Sequence, residues 1–106
     1  MNIAKSTTET MLITGAERLD PITVFTEDYE PGKGRITIVC WGQVWAATGY
    51  WGAMSGETIK QFFRASHPDY LLSTLAWNKK LKKSETAYFL RIIEAVQAAF
   101  WLEAAA

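Results

Sequence analysis

The segment from Arg35 to Gly56, RITIVCWGQVWAATGYWGAMSG, alternates side-chain character over two arms, turns at a glycine and ends among glycines. A period of two is a strand signature, because successive side chains of a β-strand leave on opposite faces. The Gly42-Gln43 pair between the arms fits a two-residue type II′ turn, whose first central position takes φ > 0 and so favours glycine. Centring a hairpin there fixes its register. Trp41 then faces Val44, Cys40 faces Trp45, Val39 faces Ala46, Ile38 faces Ala47, Thr37 faces Thr48 and Ile36 faces Gly49. Ile36, Ile38, Cys40, Trp45, Ala47, Gly49 and Trp51 share one face, which is the core face; Thr37, Val39, Ala46 and Thr48 share the other. Ala47 and Gly49 leave room on the core face for a close helix approach.

Two further strands precede this hairpin. Met11 to Thr14 is short, β-prone and closed by Gly15, and Ile22 to Tyr29 places Ile22 and Val24 on one face with Phe25 on the other. Glu30-Pro31-Gly32-Lys33-Gly34 is the clearest turn, with proline presetting φ and the glycines free to adopt positive φ. Residues 1–10 are polar and read as a frayed tail, leaving 11–106 as a single domain. Four strands joined by short turns make an antiparallel meander that must cover one face.

The second half supplies the cover. Ile59, Phe62 and Phe63 recur at helical spacing within Glu57 to Ala65, with Ser55 as the expected cap. A second short helix is predicted from Ser66-His67-Pro68-Asp69, where proline suits the first helical position. The longest helix should open at Ser84-Glu85 and run to about Leu102, burying Phe89, Ile92, Ile93, Val96, Ala99 and Phe100 and leaving Arg91, Glu94 and Gln97 outside. The expected fold is therefore α+β, a four-stranded antiparallel β-meander covered on one face by a long C-terminal helix and one or two short ones.

Composition narrows the function classes. The formal net charge is zero, so nothing draws the whole molecule to nucleic acid or an anionic membrane. No run approaches the ~18 apolar residues of a membrane span, and the N-terminus lacks the apolar stretch of a secretory signal. A single cysteine forms no internal disulfide, which suits a cytoplasmic protein.

Chemistry-bearing groups do not converge. Glu27 and Asp28 are adjacent on a strand and leave on opposite faces, and His67, the one histidine, reads as the start of a helix. With one His and one Cys a zinc or iron site would have to be built largely from carboxylates, and no metal motif is present; neither a metal, a cofactor nor catalysis is expected. Gly49, Gly52 and Gly56 lie where phosphate-cradling loops occur, yet they match no phosphate-loop pattern and Trp51 and Met54 crowd them; they read as a tight turn with a close helix approach.

Two surface features remain. Lys79, Lys80, Lys82 and Lys83 precede a helix N-terminus, where they oppose the macrodipole, so helix stability does not explain them. They could clamp phosphates of a nucleic acid, with Trp77 or Tyr88 stacking on a base, or simply solvate a loop. Residues 1–34 carry three basic against six acidic side chains and residues 57–83 six against two, a bipolarity that suits a protein partner better than bare DNA. The aromatic residues Trp41, Tyr50, Trp51, Trp77 and Trp101 exceed what so small a lid can bury, and exposed Trp and Tyr anchor interfaces. Trp41, Tyr50, Trp51 and Trp77 are the expected partner-binding set, and the same surface could serve a homodimer.

The stretches ITGAERLDPITV, EPGKGRITIVCWGQVWAATGYWGAMSG and YFLRIIEAVQAAF together give residues 11–100 a pattern that resembles a family of small uncharacterised proteins carried by bacteriophages and prophages. The resemblance supplies no catalytic residues. It implies a phage accessory protein in the bacterial cytoplasm that binds a host or phage protein, including inhibitors of restriction or CRISPR defence.

Overall fold

The computed structural model describes residues 1–42 and 46–106. Four strands, β1 (Glu9–Ile13), β2 (Ile22–Glu30), β3 (Lys33–Cys40) and β4 (Ala47–Trp51), are followed by α1 (Ile59–Ala65), α2 (Pro68–Leu75) and α3 (Lys83–Ala105). The strands form one antiparallel sheet in sequence order, the expected meander. All three helices lie on the same side of it, and the core between them is built from Ile22, Val24, Ile36, Ile38 and Ala47 of the sheet against Ile59, Phe63, Leu71, Phe89, Ile93, Val96 and Phe100.

The hairpin register holds wherever it can be followed: Ile36 pairs with Gly49, Thr37 with Thr48 and Ile38 with Ala47. The Trp41–Val44 and Cys40–Trp45 pairs, and the core position of Trp45, lie outside the described residues, as does the second half of the Gly42-Gln43 turn. Gly42 itself does not take the left-handed φ of a type II′ turn. It is small for another reason: the Asp20 carboxylate lies where a Cβ would stand.

Gly49 lies under Trp51 and Leu75. A Cβ there would meet the Trp51 ring at 2.8 and 2.9 Å and Leu75 at 3.1 Å, so the space predicted over Ala47 and Gly49 is filled by the indole two residues on and by α2. Trp51 also stacks near Phe62 and Phe63, with ring centroids 5.5 and 6.5 Å away, and its Nε1 donates to the Tyr70 hydroxyl at 3.1 Å.

Three boundaries differ from expectation. β1 starts at Glu9, inside the stretch expected to fray, because Glu9 pairs with Thr26 and its carboxylate takes the Lys60 ammonium. The cap of α1 is Thr58, not Ser55: Thr58 Oγ1 accepts the Gln61 N–H at 3.2 Å while Gln61 Oε1 accepts the Thr58 N–H at 3.0 Å, a reciprocal capping box. Ser55 and Gly56 instead turn the chain with φ of 54° and 80°. α3 starts at Lys83, where the Lys82 N–H donates to the Glu85 carboxylate at 2.8 Å.

The buried stripe of α3 is Phe89, Ile92, Ile93, Val96 and Phe100, with Ala99 only half-buried. Gln97, expected outside, turns inward. Its Nε2 donates to the carbonyls of Phe63 at 3.0 Å and Ser66 at 2.7 Å, reinforcing the end of α1, where the Phe63 carbonyl otherwise takes only the long Ser66 N–H bond of 3.4 Å.

Candidate functional site

With every helix on one side, the other face of the sheet stays open. The alternation that buries Val24, Ile36 and Ile38 turns Leu12, Thr23, Phe25, Glu27, Arg35, Thr37, Val39, Thr48 and Tyr50 outward. Thr37 and Thr48 hydroxyls bond at 3.0 Å across the centre of this face.

At one end of the face stands a cluster of Tyr29, Arg35 and Tyr50. Arg35 pairs with Tyr50 across the β3–β4 ladder, and an irregularity in the β2–β3 register between Asp28 and Glu30 accompanies Tyr29. Arg35 Nε donates to the Tyr29 hydroxyl at 3.3 Å, its guanidinium carbon lies 5.6 Å from the Tyr50 ring centre, and the two tyrosine rings are 6.2 Å apart. The tyrosines are 48% and 45% exposed, enough to present one side of each ring to a partner.

At the other end Trp41 is 60% exposed, and its Nε1 donates to Thr23 Oγ1 at 3.0 Å, which fixes the indole against the sheet. The backbone N–H of Trp41 also donates to the Pro21 carbonyl at 2.9 Å.

Of the four aromatic residues expected to bind a partner, Trp41 and Tyr50 are on the open face, at opposite ends of it. Trp77 is 79% exposed but lies beyond α2, in the connector to α3. Trp51 is a correction: at 7% exposure it is a core residue, because its position in β4 points to the helices, where Phe62, Phe63 and Tyr70 enclose it. Arg35 and Tyr29 are outside that expected set. Continuing the hairpin register by one pair, from Ile36–Gly49 to Arg35–Tyr50, reaches the first, and alternation along β2 from Phe25 through Glu27 puts the second on the same face; the ladder irregularity hides only which residue of β3 it meets.

The lysine segment is separate from the aromatic cluster. Lys80, Lys82 and Lys83 are exposed and Lys79 is half-buried in the connector, which reaches the sheet near its Cys40 end through Leu81. Leu81, Tyr88, Phe89 and Ile92 there enclose, with Ile38, Cys40 and Ala47, a cleft of about 110 Å³. Cys40 is buried in its wall, with Sγ 3.5 Å from the Tyr88 hydroxyl. His67 caps α2, its Nδ1 accepting the Asp69 N–H at 3.1 Å.

The glycine-rich loop is occupied by its own backbone. Gly32 N–H donates to the Glu57 carbonyl at 3.2 Å and Met54 N–H to the Gly32 carbonyl at 3.1 Å, which ties the loop to the β2–β3 turn. Among the described residues, no three His, Cys, Asp or Glu side chains are grouped to hold a metal ion, and no helix is long and apolar enough to cross a membrane.

Residues 1–80 fit the model of a family described as a phage family. No curated protein and no solved structure matches the chain.

Proposed function

The chain belongs to that phage family, and from this premise we propose that it is a non-enzymatic accessory protein that binds a host or phage protein through the open face of its sheet. The observation that carries the reading is the pairing of rigidity with exposure on that face: Trp41, Tyr29 and Tyr50 are each half or more exposed or close to it, yet Trp41 and Tyr29 are held by hydrogen bonds and Tyr50 by the Arg35 guanidinium. Aromatic side chains fixed before binding lose little conformational entropy when a partner covers them. Inhibition of a host defence system in the bacterial cytoplasm, of the anti-CRISPR or anti-restriction kind, is the specific form this reading takes.

Expression of the tagged chain in a bacterial host, with recovery through high-salt washing, tests it. One protein retained by the wild type and lost in both Trp41→Ala and Tyr50→Ala supports the reading, and protection of an incoming phage or plasmid in the same cells would support the defence-inhibitor form. A second reading draws on the exposed Lys80, Lys82 and Lys83 near the exposed Trp77: nucleic acid recovered at low salt, released by salt and absent from a variant with all four lysines changed to Ala, would replace the first reading.

A further inference from the structure

Arg35 is oriented from two sides and used on only one edge. Its Nε is spent on the Tyr29 hydroxyl and its Cζ lies 5.6 Å from the Tyr50 ring centre, but among the described residues neither Nη has a hydrogen-bond or ion-pair partner. Glu27 is directly opposite it in the β2–β3 ladder, yet the two side chains form no ion pair. A half-buried arginine on the open face, held at Nε and flanked by two tyrosine rings with both Nη groups unspent, is suited to a planar anion.

We propose that the Tyr29–Arg35–Tyr50 cluster receives a carboxylate side chain, an Asp or Glu of the partner protein, in a bidentate pair with the two Nη groups of Arg35; this rests on the reading of the open face as a protein-binding surface. Charge complementarity selects the carboxylate over a phosphate. Phosphate-reading sites gather several basic groups, whereas here the other basic residue of β3, Lys33, is paired with Glu30 at 3.1 Å, and the residue across the ladder from Arg35 is the acidic Glu27. One guanidinium matches one carboxylate. The flanking tyrosine rings then exclude water from the pair, which is the arrangement in which an interfacial charge pair counts most.

The test uses the full chain and immobilised short peptides of varied sequence, each made with Glu, Gln or phosphoserine at its centre, together with a single-stranded oligonucleotide. The expected result is retention on Glu peptides stronger than on their Gln counterparts by on the order of tenfold or more. Arg35→Lys, which keeps the charge and loses the fork, should abolish most of that discrimination while leaving the circular dichroism spectrum unchanged. Equal retention on Glu and Gln forms, preference for phosphoserine or the oligonucleotide, or discrimination that survives Arg35→Lys overturns the proposal. So does self-association that Glu27→Gln abolishes, since the carboxylate would then come from a second copy. A cellular partner lost in Tyr50→Ala but retained by Arg35→Lys overturns the carboxylate pair and leaves the protein-binding reading standing; no protein partner and no peptide retention overturns both.

Discussion

The Asp28 carboxylate accepts the backbone N–H of Ile59 at 2.7 Å, joining the end of strand β2 to the first residue of helix α1. Ile59 N–H is one of the donors a helix N-terminus cannot satisfy within itself, and the negative charge also complements the helix dipole. Gly34 makes the approach feasible, since a Cβ there would lie 3.0 Å from the Ile59 Cβ and 2.9 Å from the Glu27 carbonyl. Asp28→Ala should therefore cost about 1–2 kcal/mol, and Asp28→Asn, which keeps an acceptor oxygen, less. Urea unfolding measures both, and an unchanged midpoint in the Ala variant would remove this bond from any account of stability.

Trp51 and Trp77 should behave in opposite ways. Trp51→Ala empties a buried aromatic site and removes the Trp51–Tyr70 hydrogen bond, at a cost of about 3–5 kcal/mol. Trp77→Ala removes an exposed ring and should stay within about 0.5 kcal/mol of wild type. Thermal unfolding of the pair separates core from surface, and any loss of partner binding in the Trp51 variant has to be judged against its lost stability.

Gly49→Ala adds one methyl group to the tightest point of the sheet face. The Trp51 ring and the Leu75 methyl both stand within 3.1 Å of the new atom, so one of them must move. Overpacking of this kind costs about 1–3 kcal/mol. The accompanying change should be visible in the near-ultraviolet dichroism of Trp51, and a variant with unaltered stability and spectrum would mean that the site has slack.

Lys60 gives the molecule an alkaline limit. Its ammonium is largely covered and reaches both Glu9 of β1 and, at 2.7 Å, Glu103 of α3. Burial alone pulls its pKa down, but the hydrogen bonds and charges of Glu103 and Glu9 together outweigh burial and hold it above the ordinary lysine value of 10.5. A pKa raised on folding means stability that is complete below the unfolded-state value and is lost as pH climbs through the folded-state one. Wild type should therefore lose stability above about pH 10.5 more steeply than Lys60→Met does. Parallel unfolding curves through that range would contradict it.

The strands were legible in the sequence because a period of two leaves little freedom once a turn is fixed. Thr37–Thr48 and Ile36–Gly49 follow by counting from the hairpin. What could not be read is whatever depends on a third element. Gly42 looks like a turn glycine from its neighbours alone, whereas its size answers to Asp20, more than twenty residues earlier in the chain. Ser55 and Thr58 are equally good caps on paper, and the choice falls to Thr58 because Gln61 is three residues beyond it while Ser55 is needed for the turn. Gln97 looks solvent-facing by polarity, yet its partners are carbonyls at the end of another helix. The open face divides along the same line: Arg35 and Tyr50 share a ladder pair that counting reaches, and alternation puts Tyr29 on their face, but the Tyr29–Arg35 hydrogen bond crosses an irregular stretch of the β2–β3 ladder that counting does not reveal.

Glu9 and Glu103 meet on the same ammonium, so positions ninety-four residues apart in the sequence are neighbours in space on the helical side of the sheet. The path of the chain is nearly a closed ring. Circular permutation should accordingly be inexpensive, with a short linker joining the region of Glu103 to that of Glu9 and new ends opened elsewhere.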